Sequence, residues 1–312
     1  MTAFAFVFPG QGSQSVGMLD AWGDHPAVAA TLEEASAALG EDIGRLIHEG
    51  PKEQLDLTTN TQPVMLTAGI AAWRAWLAEG GAAPVAVAGH SLGEYTALVA
   101  AGVLSLADAL PLVRLRATAM QEAVPVGVGA MAAILGLDAP AVRDGCKAAA
   151  QASGEVVEAV NFNDPKQTVI AGSKAGVDKA CELLKAAGAK RALLLPVSAP
   201  FHSSLMKPAA ERLQAALQKV TFNAPQIPVV NNIDVATPTD AAAIRDALVR
   251  QAAGPVRWVE VVQALRARGV THVIECGPGK VLSGMAKRID GELVTGAVHD
   301  PATLAETKGV LA

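Results

Sequence analysis

The sequence predicts an α/β protein whose main domain holds a largely parallel sheet and carries an inserted ferredoxin-like subdomain. Three observations lead there. Short apolar runs alternate with longer helix-compatible stretches over most of the chain, the order that threads parallel strands through helical crossovers. The segment from about Gly127 to Val197 breaks this rhythm and reads β-α-β-β-α-β, a compact unit that can be inserted into another domain. Finally, Gly89-His90-Ser91-Leu92-Gly93 lies between an apolar run, Pro84 to Ala88, and a helix-compatible stretch, Glu94 to Ala101. That is how a serine on a strand-to-helix corner is set.

The strands of the main sheet follow in chain order as Phe4 to Phe8, Val85 to Ala88, Ile227 to Asn231, His272 to Glu275 and Leu293 to Val298, each a short apolar run. Within the insertion the order is strand Ala130 to Leu137, helix Ala141 to Ala152, strand Val156 to Asn161, strand Thr168 to Ala171, helix Val177 to Ala187 and strand Arg191 to Val197. The main domain is therefore discontinuous, residues 1–126 and 198–312, with residues 127–197 as the ferredoxin-like subdomain. Ser105, with Asp108 three residues on, caps a helix that runs to about Glu122. Leu205 to Leu217 reads as another amphipathic helix.

With 312 residues, 51% of them hydrophobic and 18% charged, the chain can bury a sizeable core and carries no signature of disorder. A net charge of -5 without a dense basic face argues against nucleic acid as a partner. Cys146, Cys181 and Cys276 are odd in number and lack the Cys-x-x-Cys or histidine pairing of a zinc site. No metal is expected, and reduced thiols fit a cytoplasmic protein. The apolar N-terminus has no basic segment before it and reads as a first strand instead of a signal peptide. No apolar run reaches the roughly 20 residues that span a membrane.

Chemistry is expected first at Ser91. In a Gly-x-Ser-x-Gly corner the glycines leave no Cβ to crowd the turn, so the serine Oγ projects clear of the sheet. The Leu92 amide then opens a helix, whose unpaired N–H groups and positive dipole end would stabilise an oxyanion. These features point to acyl transfer through a serine ester. A base is needed, and among six histidines His202 fits best, in the loop Pro200-Phe201-His202-Ser203-Ser204 between an apolar strand and an amphipathic helix. The alternative is that Ser203 or Ser204 caps that helix and His202 fills space. His90 adjoins the serine, but neighbours across such a turn diverge. No Asp or Glu presents itself to orient the base, which leaves a carbonyl or amide partner open.

Arg116 is the most diagnostic charge. It falls inside the apolar stripe Ala109, Leu112, Val113, Ala119 and Met120, whereas Arg114 points to the polar side. A buried guanidinium without a partner would cost several kcal/mol. It should therefore meet either a carboxylate of the protein or, as a bidentate clamp, one belonging to a substrate. Near the N-terminus, Pro9-Gly10-Gln11-Gly12 follows the first strand. The glycines permit a tight loop whose amides could complete an oxyanion hole with Leu92. Gly277-Pro278-Gly279-Lys280 reads as a strand-to-helix turn.

Taken together, Phe8-Pro9-Gly10-Gln11-Gly12-Ser13, Gly89-His90-Ser91-Leu92-Gly93-Glu94, Arg116, Asn161-Phe162-Asn163, Pro200-Phe201-His202-Ser203 and Glu275-Cys276-Gly277-Pro278-Gly279 resemble the malonyl-CoA:acyl carrier protein transacylase family over nearly the full length. The resemblance implies an α/β-hydrolase-like core with a ferredoxin-like subdomain. It implies Ser91 as nucleophile, His202 as base, Gln251 as the residue whose carbonyl orients the histidine, and the amides of Gln11 and Leu92 as the oxyanion hole. Arg116 would clamp the malonyl carboxylate, with Asn161 and Phe201 at the acyl pocket. Phe201 is bulky there, as in members that select malonyl over methylmalonyl.

The implied partners are malonyl-CoA and an acyl carrier protein, with coenzyme A entering as substrate, no cofactor, no membrane and a monomeric enzyme. The expected pathway is fatty acid biosynthesis. An acetyl group would leave Arg116 unpaired at a cost of about 2 to 5 kcal/mol. Carrier proteins are usually acidic, so Lys190 and Arg191, or Arg266, Arg268, Lys280 and Lys287, are candidate docking charges. Alternatives are a stand-alone polyketide acyltransferase, a serine hydrolase with the same elbow, and an idle acyl-CoA binding module.

Overall fold

A computed structural model describes residues 2–197 and 199–312. Met1 and Ser198, where the two expected segments of the main domain begin, lie outside the described residues. The chain opens with β1 (Phe4–Phe8), followed by α1 (Pro26–Leu39), α2 (Ile43–Glu49), α3 (Lys52–Leu55) and α4 (Thr58–Ala78). Next come β2 (Ala86–Gly89), α5 (Gly93–Ala100) and α6 (Leu106–Glu122). The middle segment contains β3 (Gly129–Leu135), α7 (Ala139–Ser153), β4 (Val157–Asp164), β5 (Gln167–Ser173), α8 (Lys174–Ala186) and β6 (Arg191–Leu194). The chain closes with α9 (Lys207–Leu217), β7 (Val229–Val230), α10 (Ala241–Ala252), α11 (Trp258–Ala267), β8 (His272–Cys276), α12 (Val281–Ile289), β9 (Val294–Val298) and α13 (Pro301–Leu311).

Five strands form a parallel sheet in the order β7-β2-β1-β8-β9. Its central strand, Phe4-Ala5-Phe6-Val7-Phe8, is buried throughout. A strand covered on both faces has no polar side, which is why its sequence is a continuous apolar run. Side-chain alternation sorts it. Phe4, Phe6 and Phe8 join the larger core, while Ala5 and Val7 join the core under α11 and α12. Phe6 meets Trp73 and Trp76 of α4 edge-on, with ring centroids 5.7 and 5.3 Å away.

The other four strands form an antiparallel sheet in the order β4-β5-β3-β6, the arrangement a βαββαβ unit of ferredoxin-like type produces. Here too alternation decides the faces. Ala132 and Ile134 of β3 pack under α7 and α8 with Val142, Val177 and Leu184, while Met131 and Ala133 pack with Val160 and Val169 on the opposite face, against Phe201. Two hydrogen bonds, Phe162 N–H to the Val256 carbonyl at 2.9 Å and Val256 N–H to the Val160 carbonyl at 2.8 Å, stitch β4 to the segment before α11.

Some strand ends differ from the sequence expectation, each for a local reason. The strand expected over Ile227 to Asn231 is reduced to Val229–Val230. Pro228 has no N–H to give a ladder, and the Asn231 side-chain carbonyl turns the chain by accepting from Asp234 N and Ala236 N at 2.9 and 3.3 Å. The strand expected to reach Val197 stops at Leu194, two residues before Pro196. Conversely, β4 continues past Asn161 to Asp164 through two register shifts.

The corner between β2 and α5 is the tightest point of the main domain. A Cβ placed on Gly89 would lie 1.9 Å from the Gly93 carbonyl carbon, and one on Gly93 would lie 2.0 Å from the Phe8 carbonyl oxygen. Backbone on both sides cannot yield. Gly93→Ala should therefore cost about 3 kcal/mol of folding stability. Gly44→Ala, inside α2 with its nearest neighbour 3.6 Å from the added carbon, should instead be neutral or gain about 0.5–1 kcal/mol. Urea unfolding of the two variants checks both; comparable stabilities would mean the corner relaxes.

Candidate active site

The chain leaves β2 and turns at Ser91 with φ 54°, a left-handed backbone rare for a residue with a side chain. Its N–H donates to Asn232 Oδ1 at 2.7 Å and its carbonyl accepts from Gln251 Nε2 at 3.0 Å. These two bonds hold the strained corner. Leu92 is the N-terminal boundary of α5, so its amide belongs to the turn where helical N–H groups have no acceptor within the helix. Across the cleft His202 is also left-handed, with φ 65°.

Ser91 Oγ lies 2.7 Å from His202 Nε2, and His202 Nδ1 lies 2.9 Å from the Gln251 carbonyl oxygen. A carbonyl only accepts, so Nδ1 carries the hydrogen and Nε2 presents the lone pair toward the serine hydroxyl. This is the arrangement of a base ready to take the Oγ proton. The orienter that the sequence left open between a carbonyl and an amide is thus a main-chain carbonyl. Burial, reinforced by the Arg116 charge, pushes His202 down to about 3 from its ordinary 6.5. The imidazole is neutral at physiological pH.

Arg116 is 2% exposed on the buried face of α6, whose N-terminus Ser105 caps by accepting from Asp108 N at 3.0 Å. Its guanidinium donates from Nη1 to Gln62 Oε1 at 2.8 Å, and from Nη2 to Gln251 Oε1 at 3.1 Å and Ser91 Oγ at 3.2 Å. It also sits over the Tyr95 ring, 5.4 Å from its centroid. None of these partners is a carboxylate. Between the two readings of this arginine, the protein ion pair is not formed among the described residues. Arg114, by contrast, reaches Glu41 at 2.6 Å on the outer side of the helix.

A cavity of about 130 Å³ opens above these groups. Ser91, His202, Arg116, Gln11, Leu92, Asn161 and Phe201 all reach its wall, as do Gln62 and His90. The rest is apolar, formed by Met120 of α6 and by Met131, Leu195 and Val197 from the inserted segment. Gln251 does not line the cavity and acts from beneath. Gln11 is fixed by a bond from its Nε2 to Thr58 Oγ1 at 3.2 Å. Asn161 Oδ1 and Arg116 Nε are buried without hydrogen-bond partners among the described residues. His90 turns away from the serine toward Asn163 Oδ1, 2.8 Å from its Nε2. Ser203 Oγ bonds the Pro200 carbonyl at 2.7 Å and caps no helix.

Sequence reasoning missed the contacts of Gln62, Asn232 and Glu94. Glu94 is 2% exposed, and burial raises its carboxyl to about 7 against the lowering effects of Gln251 and Asn232. One signal was available: Glu94 is the only charged residue of α5. Gln62 and Asn232 carry no comparable mark.

Comparison with known proteins places this geometry. The acyl transferase domain family matches residues 5–289. The malonyl CoA-acyl carrier protein transacylase of Escherichia coli K12 is 56% identical over 306 residues, covering 98% of each chain. The crystal structure of an acyl-carrier-protein S-malonyltransferase from Burkholderia pseudomallei is 68% identical, with a TM-score of 0.97 over 99% of this chain and 100% of that one. A malonyl-transacylase solved in complex with the holo acyl-carrier protein of a type II polyketide synthase is 51% identical, with a TM-score of 0.97 over 99% and 100% of the two chains.

The depressed His202 predicts a pH signature. As pH falls the unfolded chain takes this proton before the folded one does, so the contribution is fully present above pH 6.5 and is lost toward about 3. Asparagine tolerates left-handed backbone. The stability of the native protein relative to His202→Asn should therefore decline when urea unfolding is measured at pH 4 instead of pH 7. A pH-independent difference would place the imidazole in water-like surroundings.

Proposed function

The chain belongs to the acyl transferase family, and on that premise we propose that it moves a malonyl group from malonyl-CoA to the phosphopantetheine thiol of an acyl carrier protein through an ester on Ser91. The observation that carries this reading is the position of Arg116. A buried cation with no carboxylate partner donates to the nucleophile itself at 3.2 Å, which suits an acyl group that brings its own carboxylate. The unpartnered Arg116 Nε and Asn161 Oδ1 are further polar groups that a malonyl ester could satisfy. The names of the transacylases at 56% identity and the carrier-protein complex support the same donor and acceptor.

In the first half-reaction His202 Nε2 takes the Oγ proton as Oγ bonds to the thioester carbon. The oxyanion is received by the amides of Leu92 and Gln11. Collapse breaks the C–S bond, and the proton passes from His202 to the coenzyme A sulfur. The second half-reaction runs the sequence backward with the carrier thiol as nucleophile, so no net proton is lost. Coenzyme A enters only as part of the substrate, and no cofactor takes part. We take the enzyme to be a monomer, and three free cysteines suit the cytoplasm. Fatty acid biosynthesis is the pathway we assign; the polyketide carrier complex at 51% identity favours a stand-alone polyketide enzyme as the second reading.

Intact mass after incubation with malonyl-CoA, then with phosphopantetheinylated carrier protein, tests the proposal. A malonyl adduct on Ser91 that moves to the carrier is expected. Release only to water would make the protein a hydrolase, and no adduct would remove acyl transfer altogether.

The site also revises what Arg116 contributes. With acetyl bound, Gln62 and Gln251 still hold the guanidinium, so the penalty lies at the low end, about 2 kcal/mol or roughly 30-fold. Arg116→Ala should lower malonyl loading and shift preference toward acetyl by about that factor, measured with competing thioesters. Unchanged selectivity would sink the clamp.

For docking, Arg266 is engaged by Asp290 and Glu292, and Lys287 by backbone carbonyls. Lys190 and Arg191 form no ion pair among the described residues and adjoin the strand leading to Leu195 at the pocket. Reversing both charges should slow transfer to the carrier while leaving Ser91 loading intact; normal transfer would clear that pair.

A further inference from the structure

We propose that Glu94 is a positioning residue whose buried carboxylate sets the geometry in which Ser91, His202 and Arg116 meet, an inference that rests on the acyl-transfer reading above. One oxygen, Glu94 Oε2, accepts from Asn232 N at 2.8 Å and from Gln251 Nε2 at 3.0 Å. Each donor reaches the site. Asn232 Oδ1 takes the Ser91 N–H, and Asn232 Nδ2 donates to the Gly89 carbonyl at 2.7 Å, so this residue braces both sides of the corner. Gln251 touches the Ser91 carbonyl, Arg116 Nη2 and, through its own carbonyl, His202 Nδ1.

The network needs Oε2 to accept, which it does in the ionised carboxyl and equally when a proton sits on Oε1. Gln251 can present either its oxygen or its NH₂ to Arg116. With Oε2 accepting beneath it, the NH₂ faces Glu94 and the oxygen is left for the guanidinium. An amide at position 94 would offer one acceptor and one donor, so the Gln251 side chain could turn over and set NH₂ against Arg116. The left-handed Ser91 and His202 make the bracing necessary, since such backbone persists only when its surroundings over-determine it. Two other charges bear on Glu94: Arg116 on α6 favours the carboxylate, and Asp234 in the loop after β7 opposes it.

The test is single-turnover malonyl loading of Glu94→Gln, Glu94→Asp and the native protein across malonyl-CoA concentrations, with malonyl and acetyl thioesters compared. For Glu94→Gln the saturating rate should fall roughly 10- to 100-fold, the loss expected for hydrogen bonds to a charged acceptor. Half-saturation should change less than about threefold, malonyl preference should weaken, and Glu94→Asp should recover part of the rate. Loading within about twofold of native, or a lower rate with malonyl preference intact, would overturn the proposal. If Glu94→Gln does not fold, Asn232→Ala cuts one strut alone, and a native loading rate in that variant would overturn it equally. Failure of the native protein to form any malonyl adduct would instead reject acyl transfer.

Discussion

The structure depends on one close approach, the passage of the β2–α5 corner beneath the end of β1. Gly93 lies so near the Phe8 carbonyl that a single added carbon would sit 2.0 Å from it. That contact brings the start of α5 up to the sheet and forces Ser91 into its left-handed turn. Strain of this kind costs of order 1–3 kcal/mol, and here it is opposed by bonds to both the N–H and the carbonyl of Ser91. Ser91 is therefore held by its backbone. Its Oγ meets His202 Nε2 and Arg116 Nη2.

Electrostatics in the pocket follow from burial. Removing water makes the cationic form of His202 costly, and the Arg116 charge adds to that cost. The same loss of water raises Glu94. A neutral imidazole, a permanent cation and a carboxyl group that ionises near pH 7 are thus arranged within one network, with Gln251 between them. Glutamines serve as neutral spacers. The oxygens of Gln62 and Gln251 accept from Nη1 and Nη2 of the guanidinium without the full charge that would compete with an incoming malonyl carboxylate.

What was legible in the sequence was what local patterning controls. The run Phe4–Phe8 is a strand end to end because a doubly covered strand needs five apolar residues in a row. The Ser105 cap and the Arg116 position within an apolar stripe were readable from helical spacing alone. The sequence also singled out Ser91, Leu92 and His202, which meet at one cavity. The truncation of the strand at Val229–Val230 could not be foreseen from hydrophobicity, since Asn231 folds its side chain back onto its own loop. Asn232 and Gln62 were invisible for another reason. Their partners lie 141 and 54 residues away, and an uncharged amide leaves no trace of the contact it will make.

The inserted segment completes the site instead of merely decorating it. Its β-sheet carries α7 and α8 on one face, and the other presents Met131 toward the cavity while Leu195 and Val197 follow from the end of β6. These side chains close an apolar wall across from the polar groups of Gln62 in α4, Ser91 in the corner after β2, Arg116 in α6 and His202. A small acyl group would then have its carboxylate at Arg116 and its thioester at Ser91, with no water beyond what the wall admits. The hydrogen bonds between β4 and Val256 tie that wall to the segment just after α10, and Gln251 in α10 holds His202. Displacement of the inserted sheet would therefore be felt at His202 as well as at the cavity wall, which couples the shape of the cavity to the alignment of His202 with Ser91.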